Sequence, residues 1–529
     1  MFFGAQIDEV LLCKLAEVLS ELEPHQQRVV DRIQRDDQPG LVVAHDVGTG
    51  KSLSSIAAGD ALGLPGQTVT PASLVRNYEK ELDRHLAPGS ARPNVHSLAQ
   101  VRRGAVAPAA PGGLLTVDEA HHLRNPDSAG YEQIRRLGAN AAKRLYLTAS
   151  PIYNHPVDIA PLVNLAANDK VLPETQAGFA HEYMRTRKVD PGLLAGLAGV
   201  QAGEVDELDP RRTGALSSAL RKWVDYHQNP PNNADFPTRI DETIDVPVSS
   251  EQRKVYDTVM GKAPWWVRYK VRRGLPPSKA EAADLNAFSG GARQALLSPH
   301  VFSEGMDPSQ HATKQRAAVD RLEQSIAQNP NHRAVVYAPY LDAGLEPYAR
   351  LLDERKIPYG RFTGEVPKDV REQAVRDYNE GKLRALLVSD AGSEGLDLKG
   401  TRAVQVLAPA WNQERLNQII GRGIRYKSHA ALPEAERNVR VENYRSVLPK
   451  SMWQRLFGMH SDTSVDRYMD DVTANKERLN AQIRDVMAQG GMSDVQRQKA
   501  ESARAASAAQ LDAEDQRRGA LAAWQHRAR

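Results

Sequence analysis

Short apolar runs alternate with helical spacings along most of this chain. Between residues 8 and 34, Val10, Leu11, Leu15, Val18 and Leu19 recur every three or four positions with charges between them, which predicts a helix. Leu41-Val42-Val43-Ala44 is a buried-strand pattern that turns into Gly48-Thr49-Gly50, and a helix is predicted from Lys51 to Ala58. Leu114-Leu115-Thr116-Val117 and Arg144-Leu145-Tyr146-Leu147-Thr148 are further strand candidates with helical patterns between them. Strands alternating with helices imply a parallel α/β sheet.

The rhythm breaks at residue 176. Residues 176–311 are rich in Gly, Pro and charge and carry the turn cluster Asn229-Pro230-Pro231-Asn232-Asn233, so this stretch is read as a mostly helical insertion. Alternation resumes at Ala334-Val335-Val336-Tyr337, Ala385-Leu386-Leu387-Val388 and Ala403-Val404-Gln405-Val406-Leu407. Four segments follow: an α/β unit over 1–175, the insertion over 176–311, a second α/β unit over 312–475, and a helical Ala/Arg/Gln-rich tail over 476–529, interrupted by Gly490-Gly491.

Composition narrows the class. The 529 residues include one cysteine, Cys13, which leaves no intrachain disulfide and no Cys-based zinc or iron–sulfur site. Cys13 occupies an apolar helical position and reads as core. No apolar run is long enough to span a membrane, and Met1-Phe2-Phe3 runs into Asp8 and Glu9 without the pattern of a signal peptide. A cytoplasmic protein is expected. The 69 basic and 66 acidic residues leave a net charge of +3, which by itself gives no sign of a nucleic-acid partner.

The candidate chemistry changes that picture. Gly48-Thr49-Gly50-Lys51-Ser52 follows an apolar run and opens a helix, the arrangement in which backbone N–H groups wrap a triphosphate. Lys51 would then reach the β- and γ-phosphates and Ser52 would bind Mg²⁺. His45 stands where a strict P-loop has its first Gly, and the fragment alone also fits a Gly-rich turn. Val117 ends a strand candidate and is followed by Asp118-Glu119-Ala120-His121, 67 residues after Lys51. Asp118 is placed to hold Mg²⁺ and Glu119 to polarise an attacking water. His121 and His122 lack neighbouring ligands and read as motif residues rather than a metal site.

Gln418-Ile419-Ile420-Gly421-Arg422-Gly423-Ile424-Arg425 places two arginines three apart on one helix face, suited to a phosphate chain or to surface salt bridges. Lys262 to Lys279 holds six basic residues and no acidic one, interleaved with Trp265, Trp266 and Tyr269. Its basic residues (Lys262, Arg268, Lys270, Arg272, Arg273) read as phosphate contacts and its tryptophans as core. The tail from Lys476 onward has 10 basic and 7 acidic residues and reads as a solvated helix, with a protein or nucleic-acid arm as the alternative.

Taken in order, these motifs resemble those of a superfamily-two helicase-type ATPase of the Swi/Snf-like, DEAH-box branch over roughly residues 20–475. Leu22-Glu23-Pro24-His25-Gln26 resembles the adenine-side motif, with Gln26 in the base-reading position. His45 to Ser52 resembles the P-loop, and Thr70-Pro71-Ala72-Ser73-Leu74 a strand-contacting motif that includes Pro71 and Ser73. Leu147-Thr148-Ala149-Ser150-Pro151 is similar to the motif that couples hydrolysis to lobe movement. In the second half, Phe362-Thr363-Gly364 resembles a backbone-contacting motif. Ser389-Asp390-Ala391-Gly392-Ser393-Glu394-Gly395-Leu396-Asp397 resembles the nucleic-acid and ATP coupling loop. Pro409-Ala410-Trp411-Asn412 precedes the arginine helix, and Ser464-Val465-Asp466-Arg467-Tyr468 resembles a bracing helix. Ala149 and Ser150 stand where Gly and Thr are usual, and Asp397 where Asn is usual.

The resemblance implies two RecA-like lobes and ATP with Mg²⁺ as cofactors. It assigns Gln26, Gly48, Thr49, Gly50, Lys51, Ser52, Asp118, Glu119, Gly395, Asp397, Gln418, Arg422 and Arg425 to the nucleotide. Lys51, Glu119, Arg422 and Arg425 are its catalytic set. Pro71, Ser73, Thr148, Thr363, Gly364 and Ser389 fall to nucleic acid. The implied activity is ATP-driven movement along duplex DNA, with RNA as the alternative partner, by a monomer. A strand-separating helicase and a motor or structural subunit of a phage, mobile-element or defence assembly are the rival readings. No chromatin-reading module is resembled, and the lean architecture is similar to viral, phage and bacterial relatives, including transcription-linked ATPases of large DNA viruses.

Overall fold

The computed structural model describes residues 22–489 except 88, 109–110, 230–235, 279, 390–397, 410–412, 425–427, 430–431 and 450–462. The expected helix before residue 22, Cys13, Lys279, Gly395, Asp397, the Ala410–Asn412 motif, Arg425 and the tail beyond residue 489 lie outside the described residues.

Two compact units form, and their division differs from the four segments expected. Among the described residues, one comprises 22–185, 206–229 and 478–489; the other comprises 186–205 and 236–477. In the first, strands β1 (Gly40–His45), β2 (Gly66–Thr70), β3 (Asn94–Ser97), β4 (Leu114–Val117) and β5 (Lys143–Thr148) are joined by helices. After a short β6 (Met184–Val189) and β7 (Gly203–Leu208), β8 (Val224–His227) returns to the same sheet. The order is β3-β2-β4-β5-β1-β8, parallel throughout.

The sheet is buried on both faces, as parallel sheets are. From β1, Leu41 and Val43 pack with Leu145, Leu147, Val29 and Ile33 on one side. Val42 and Ala44 face the other side with Tyr146 and Leu162. Strict alternation is why an apolar run four residues long suffices to specify the strand.

The second unit has β9 (Thr238–Pro247), β10 (Ala334–Tyr337), β11 (Tyr359–Phe362), β12 (Ala385–Val388), β13 (Ala403–Val406) and β14 (Asn438–Val447). Their order is β11-β12-β10-β13-β14-β9, again all parallel. Both α/β units expected from the sequence are therefore present. The stretch 176–311 is not one helical insertion. It supplies β8 to the first sheet and β9 to the second, and its helices Ser250–Gly261, Trp265–Arg273 and Ala282–Leu297 build a core of the second unit.

The helix Val465–Ala488 contributes to each unit separately. Near its start, wholly buried Asp466 accepts a 2.7 Å hydrogen bond from wholly buried Lys314 in the second unit. Near its end, Ile483, Val486 and Met487 pack into the core of the first. No helix among the described residues is long and apolar enough to cross a membrane.

Candidate active site

The C-terminal ends of β1, β2, β4 and β5 carry the chemistry-bearing residues of the first unit, where open α/β sheets place their ligands. β1 ends at His45, and the loop to the helix Lys51–Leu62 turns through Gly48 at φ 81° and Gly50 at φ 76°. That left-handed conformation favours glycine at both positions. A Cβ on Gly50 would also lie 2.4 Å from the Gln26 side-chain nitrogen and would have to displace that amide from the loop.

The loop is braced from within and from the helix Pro24–Ile33. Thr49 Oγ1 donates to the Asp46 carbonyl at 2.8 Å. Lys51 Nζ donates to the carbonyls of His45 (3.0 Å) and Asp46 (2.9 Å). Gln26 is buried; its Nε2 donates to the Thr49 carbonyl at 3.0 Å and its Oε1 accepts from the Glu23 N–H. His25 Nε2 lies 2.9 Å from the same Thr49 carbonyl. The adenine-side motif and the P-loop are thus in direct contact.

Asp118 and Glu119 follow β4. Asp118 Oδ1 accepts the Glu119 N–H at 2.9 Å, and Thr70 Oγ1 approaches Oδ2 at 3.4 Å. Burial, and then the Glu119 carboxylate, push the Asp118 carboxyl up to about 6, against the pull of Lys51. Glu119 adopts φ 50° and ψ 48°, a left-handed conformation rare for a residue with a side chain and found preferentially at functional sites. His121 Nδ1 lies 3.4 Å from Glu119 Oε2 and 3.5 Å from Thr148 Oγ1, and its ring stacks on Tyr153 at 5.5 Å. Thr148, wholly buried at the end of β5, accepts the Ser150 N–H. The acidic motif and the Thr148 motif therefore meet through His121. Ser52 is the second residue of the P-loop helix, and Pro71 (buried) and Ser73 (exposed) follow β2.

The 206–229 segment supplies residues that the sequence did not mark. β8 pairs with β1 in register, His45 opposite His227. Asp225, wholly buried, accepts from Arg28, Arg32 and His45. Burial pushes this carboxyl up, but the hydrogen bonds from His45 and Arg28 outweigh it and hold it well below the usual carboxylate range. The His25 and His227 rings stack at 3.9 Å. Asn229 contacts the P-loop itself.

In the second unit, Thr363 is buried and Gly364 exposed after β11, and Ser389 is buried after β12. Gln418, half-buried, and Arg422 lie on the helix Gln413–Gly423, which packs through Leu416, Ile419 and Ile420. On the helix Trp265–Arg273, Arg272 and Arg273 are exposed and Arg268 half-buried, with exposed Lys262 just before it. Lys270 departs from expectation. It is wholly buried and ion-paired with Glu281, so its charge is neutralised inside the protein and does not face a phosphate. Trp266 packs against the core beneath, whereas Trp265 is 46% exposed, contrary to the core position expected of both. No cluster of three or more metal-ligating side chains occurs among the described residues.

A SNF2-related domain matches residues 102–304 and a helicase conserved C-terminal domain matches residues 317–427, together more than half of the chain. The chain belongs to the SNF2-related helicase-type ATPases. It is similar to a protein of Acanthamoeba polyphaga mimivirus whose name proposes an ATP-dependent RNA helicase, 24% identical over 87% of this chain and 94% of the relative. It is also similar to the termination factor NPH-I homolog of African swine fever virus, 24% identical over 86% of this chain and 76% of that one. Among solved structures, the Sulfolobus solfataricus SWI2/SNF2 ATPase core in complex with dsDNA aligns over 88% of this chain and 97% of its own, with 15% identity and a TM-score of 0.34. This SNF2-related chain is an ATP-dependent nucleic-acid motor enzyme, and its P-loop, acidic pair and Thr148 motif meet within one unit.

Proposed function

We infer that the motor runs on ATP with Mg²⁺ and tracks along duplex DNA, remodelling DNA or protein–DNA complexes. The observation that carries the reading is the Asp118–Glu119 pair at the end of β4, beside the Lys51 loop. The pair fits a bound cation. Burial and Glu119 outweigh the charge of Lys51 at this carboxyl, which is pushed up to about 6, and a divalent ion held there would restore its ionised form. Ser52 and Asp118 would hold Mg²⁺, which neutralises phosphate charge when bound. Lys51 would leave the His45 and Asp46 carbonyls for the phosphates, and Gly48, Thr49 and Gly50 would line them. Glu119 would orient water and accept its proton.

Arg422 and Arg425, with Gln418, Gly395 and Asp397, are assigned to the nucleotide by motif resemblance. Arginines of this kind stabilise charge that develops in the transition state, worth on the order of 10³–10⁵ in rate. Lys262, Arg268, Arg272 and Arg273 support phosphate contact because they are clustered, at least partly exposed and free of acidic neighbours in sequence. Pro71, Ser73, Thr148, Thr363, Gly364 and Ser389 are assigned to the strand on the motifs alone, and Pro71, Thr148, Thr363 and Ser389 are buried, so side-chain contact there would need local movement.

Displacement of a triplex-forming strand from intact duplex, together with no unwinding of a blunt duplex, is expected. Unwinding without triplex displacement would replace translocation by strand separation. The name of the mimivirus relative favours RNA as a second reading, and the same assay on RNA duplexes tests it.

A further inference from the structure

β8 does more than widen the first sheet. The Asp46 N–H donates to the His227 carbonyl at 3.0 Å, which carries the β8 pairing one residue past the end of β1 and into the P-loop. Two residues on, the Asn229 N–H donates to Asp46 Oδ2 at 2.9 Å and Asn229 Nδ2 donates to the Val47 carbonyl at 3.1 Å. Both bonds land on the loop segment whose Asp46 carbonyl also receives Lys51 and Thr49. Asn229 is also the last residue before the chain leaves the first unit, which resumes only at residue 478.

We propose that Asn229 is a positioning residue for ATP binding: its two hydrogen bonds clip the approach to the P-loop into the shape that receives phosphate. Asn229 touches no reacting atom, and its effect passes through Asp46 and Val47. Val47 immediately precedes Gly48, whose left-handed conformation begins the phosphate loop, so freedom at Val47 is freedom in the loop. Ordering that segment in advance removes an entropy cost from nucleotide binding. The coupling runs both ways by thermodynamic linkage: whatever factor the clip adds to ATP affinity, bound ATP adds to the stability of the clip. Nucleotide engagement is thereby felt at the residue from which the chain departs. The assignment rests on the ATPase activity of the chain.

The test uses the full chain with Asn229→Ala, which removes the Nδ2 donor but keeps the backbone bond, and the isosteric Asn229→Asp, which sets a carboxylate against the Val47 carbonyl and Asp46. Loss of one such hydrogen bond should raise the dissociation constant of a non-hydrolysable ATP analogue about three- to tenfold. The KM for ATP should rise with it, while kcat at saturating ATP stays within about twofold. In the wild type, the analogue should slow hydrogen exchange in residues 224–229. The assignment is overturned if both variants bind the analogue as the wild type does. It is equally overturned if both lose kcat and thermal stability together without a selective rise in KM. Should either variant destabilise the first unit, the wild-type hydrogen exchange of residues 224–229 with and without the analogue carries the decision. A wild-type chain with no affinity for the analogue would overturn the ATP reading as a whole, a distinct outcome.

Discussion

Arg28 grips Asp225 through two parallel 2.8 Å hydrogen bonds, from Nε and from one terminal nitrogen, across 197 residues of sequence. The pair ties the helix that carries Gln26 to the strand that lies beside the P-loop strand. Asp225 is wholly buried and its other partners are Arg32 and His45. Asp225→Asn removes the buried charge that balances Arg28 and Arg32. It should destabilise the first unit by about 3 kcal/mol, read as a lowered urea midpoint. An unchanged midpoint would show that the network adds nothing to folding.

Glu119→Gln keeps the side-chain shape and removes the carboxylate proposed as the base. The variant should bind ATP as the wild type does and turn it over about 10²–10⁴ times more slowly. Steady-state hydrolysis and analogue binding, measured side by side, check this. Normal turnover would remove Glu119 from its role.

Acid should loosen the first unit. Burial, and then His25 and His45, hold the His227 imidazole down to about 4, and burial lowers His45 as well. The unfolded chain therefore takes up these protons first as pH falls. Stability is fully present above the ordinary histidine value of 6.5 and is lost progressively towards about pH 4. A urea midpoint followed across that window should fall, and His227→Gln should flatten part of the slope. A midpoint independent of pH there would contradict the lowered proton affinity of His227 and His45.

Lys314 and Asp466 are a buried ion pair at 2.7 Å, and Asp466 Oδ2 also accepts the Ser446 N–H at 3.0 Å. Lys314→Met strands a buried carboxylate and should cost the second unit about 3–5 kcal/mol. Adding Asp466→Asn should recover part of that loss, because the two residues act as one unit. Equal and additive losses in a double-mutant cycle would argue against coupling.

The sequence exposed the strands that are apolar on both faces, Leu41–Ala44, Leu114–Val117, Ala334–Tyr337 and Ala385–Val388. It hid β8, because Val224-Asp225-Tyr226-His227 carries an acid and a histidine into a buried sheet, tolerable only because Arg28, Arg32 and His45 converge on Asp225. It hid β14 for a related reason: Glu442 is buried there and paired with Arg321. The P-loop and the acidic pair were legible because their spacing and residue types are dictated by phosphate chemistry. Asn229 was not, since its role arises from strand pairing and nothing in the local sequence announces it. Lys270 was misplaced because a basic run does not say which of its members turns inward to Glu281.

Hydrolysis at the Lys51–Glu119 site should depend on a nucleic-acid track. The most direct test is the steady-state ATPase rate of the full chain without nucleic acid and with saturating duplex DNA, single-stranded DNA and RNA in parallel. A low basal rate is expected, raised at least tenfold by duplex DNA and far less by the other two, with Glu119→Gln silent throughout. A rate that is the same with and without every nucleic acid would contradict that dependence.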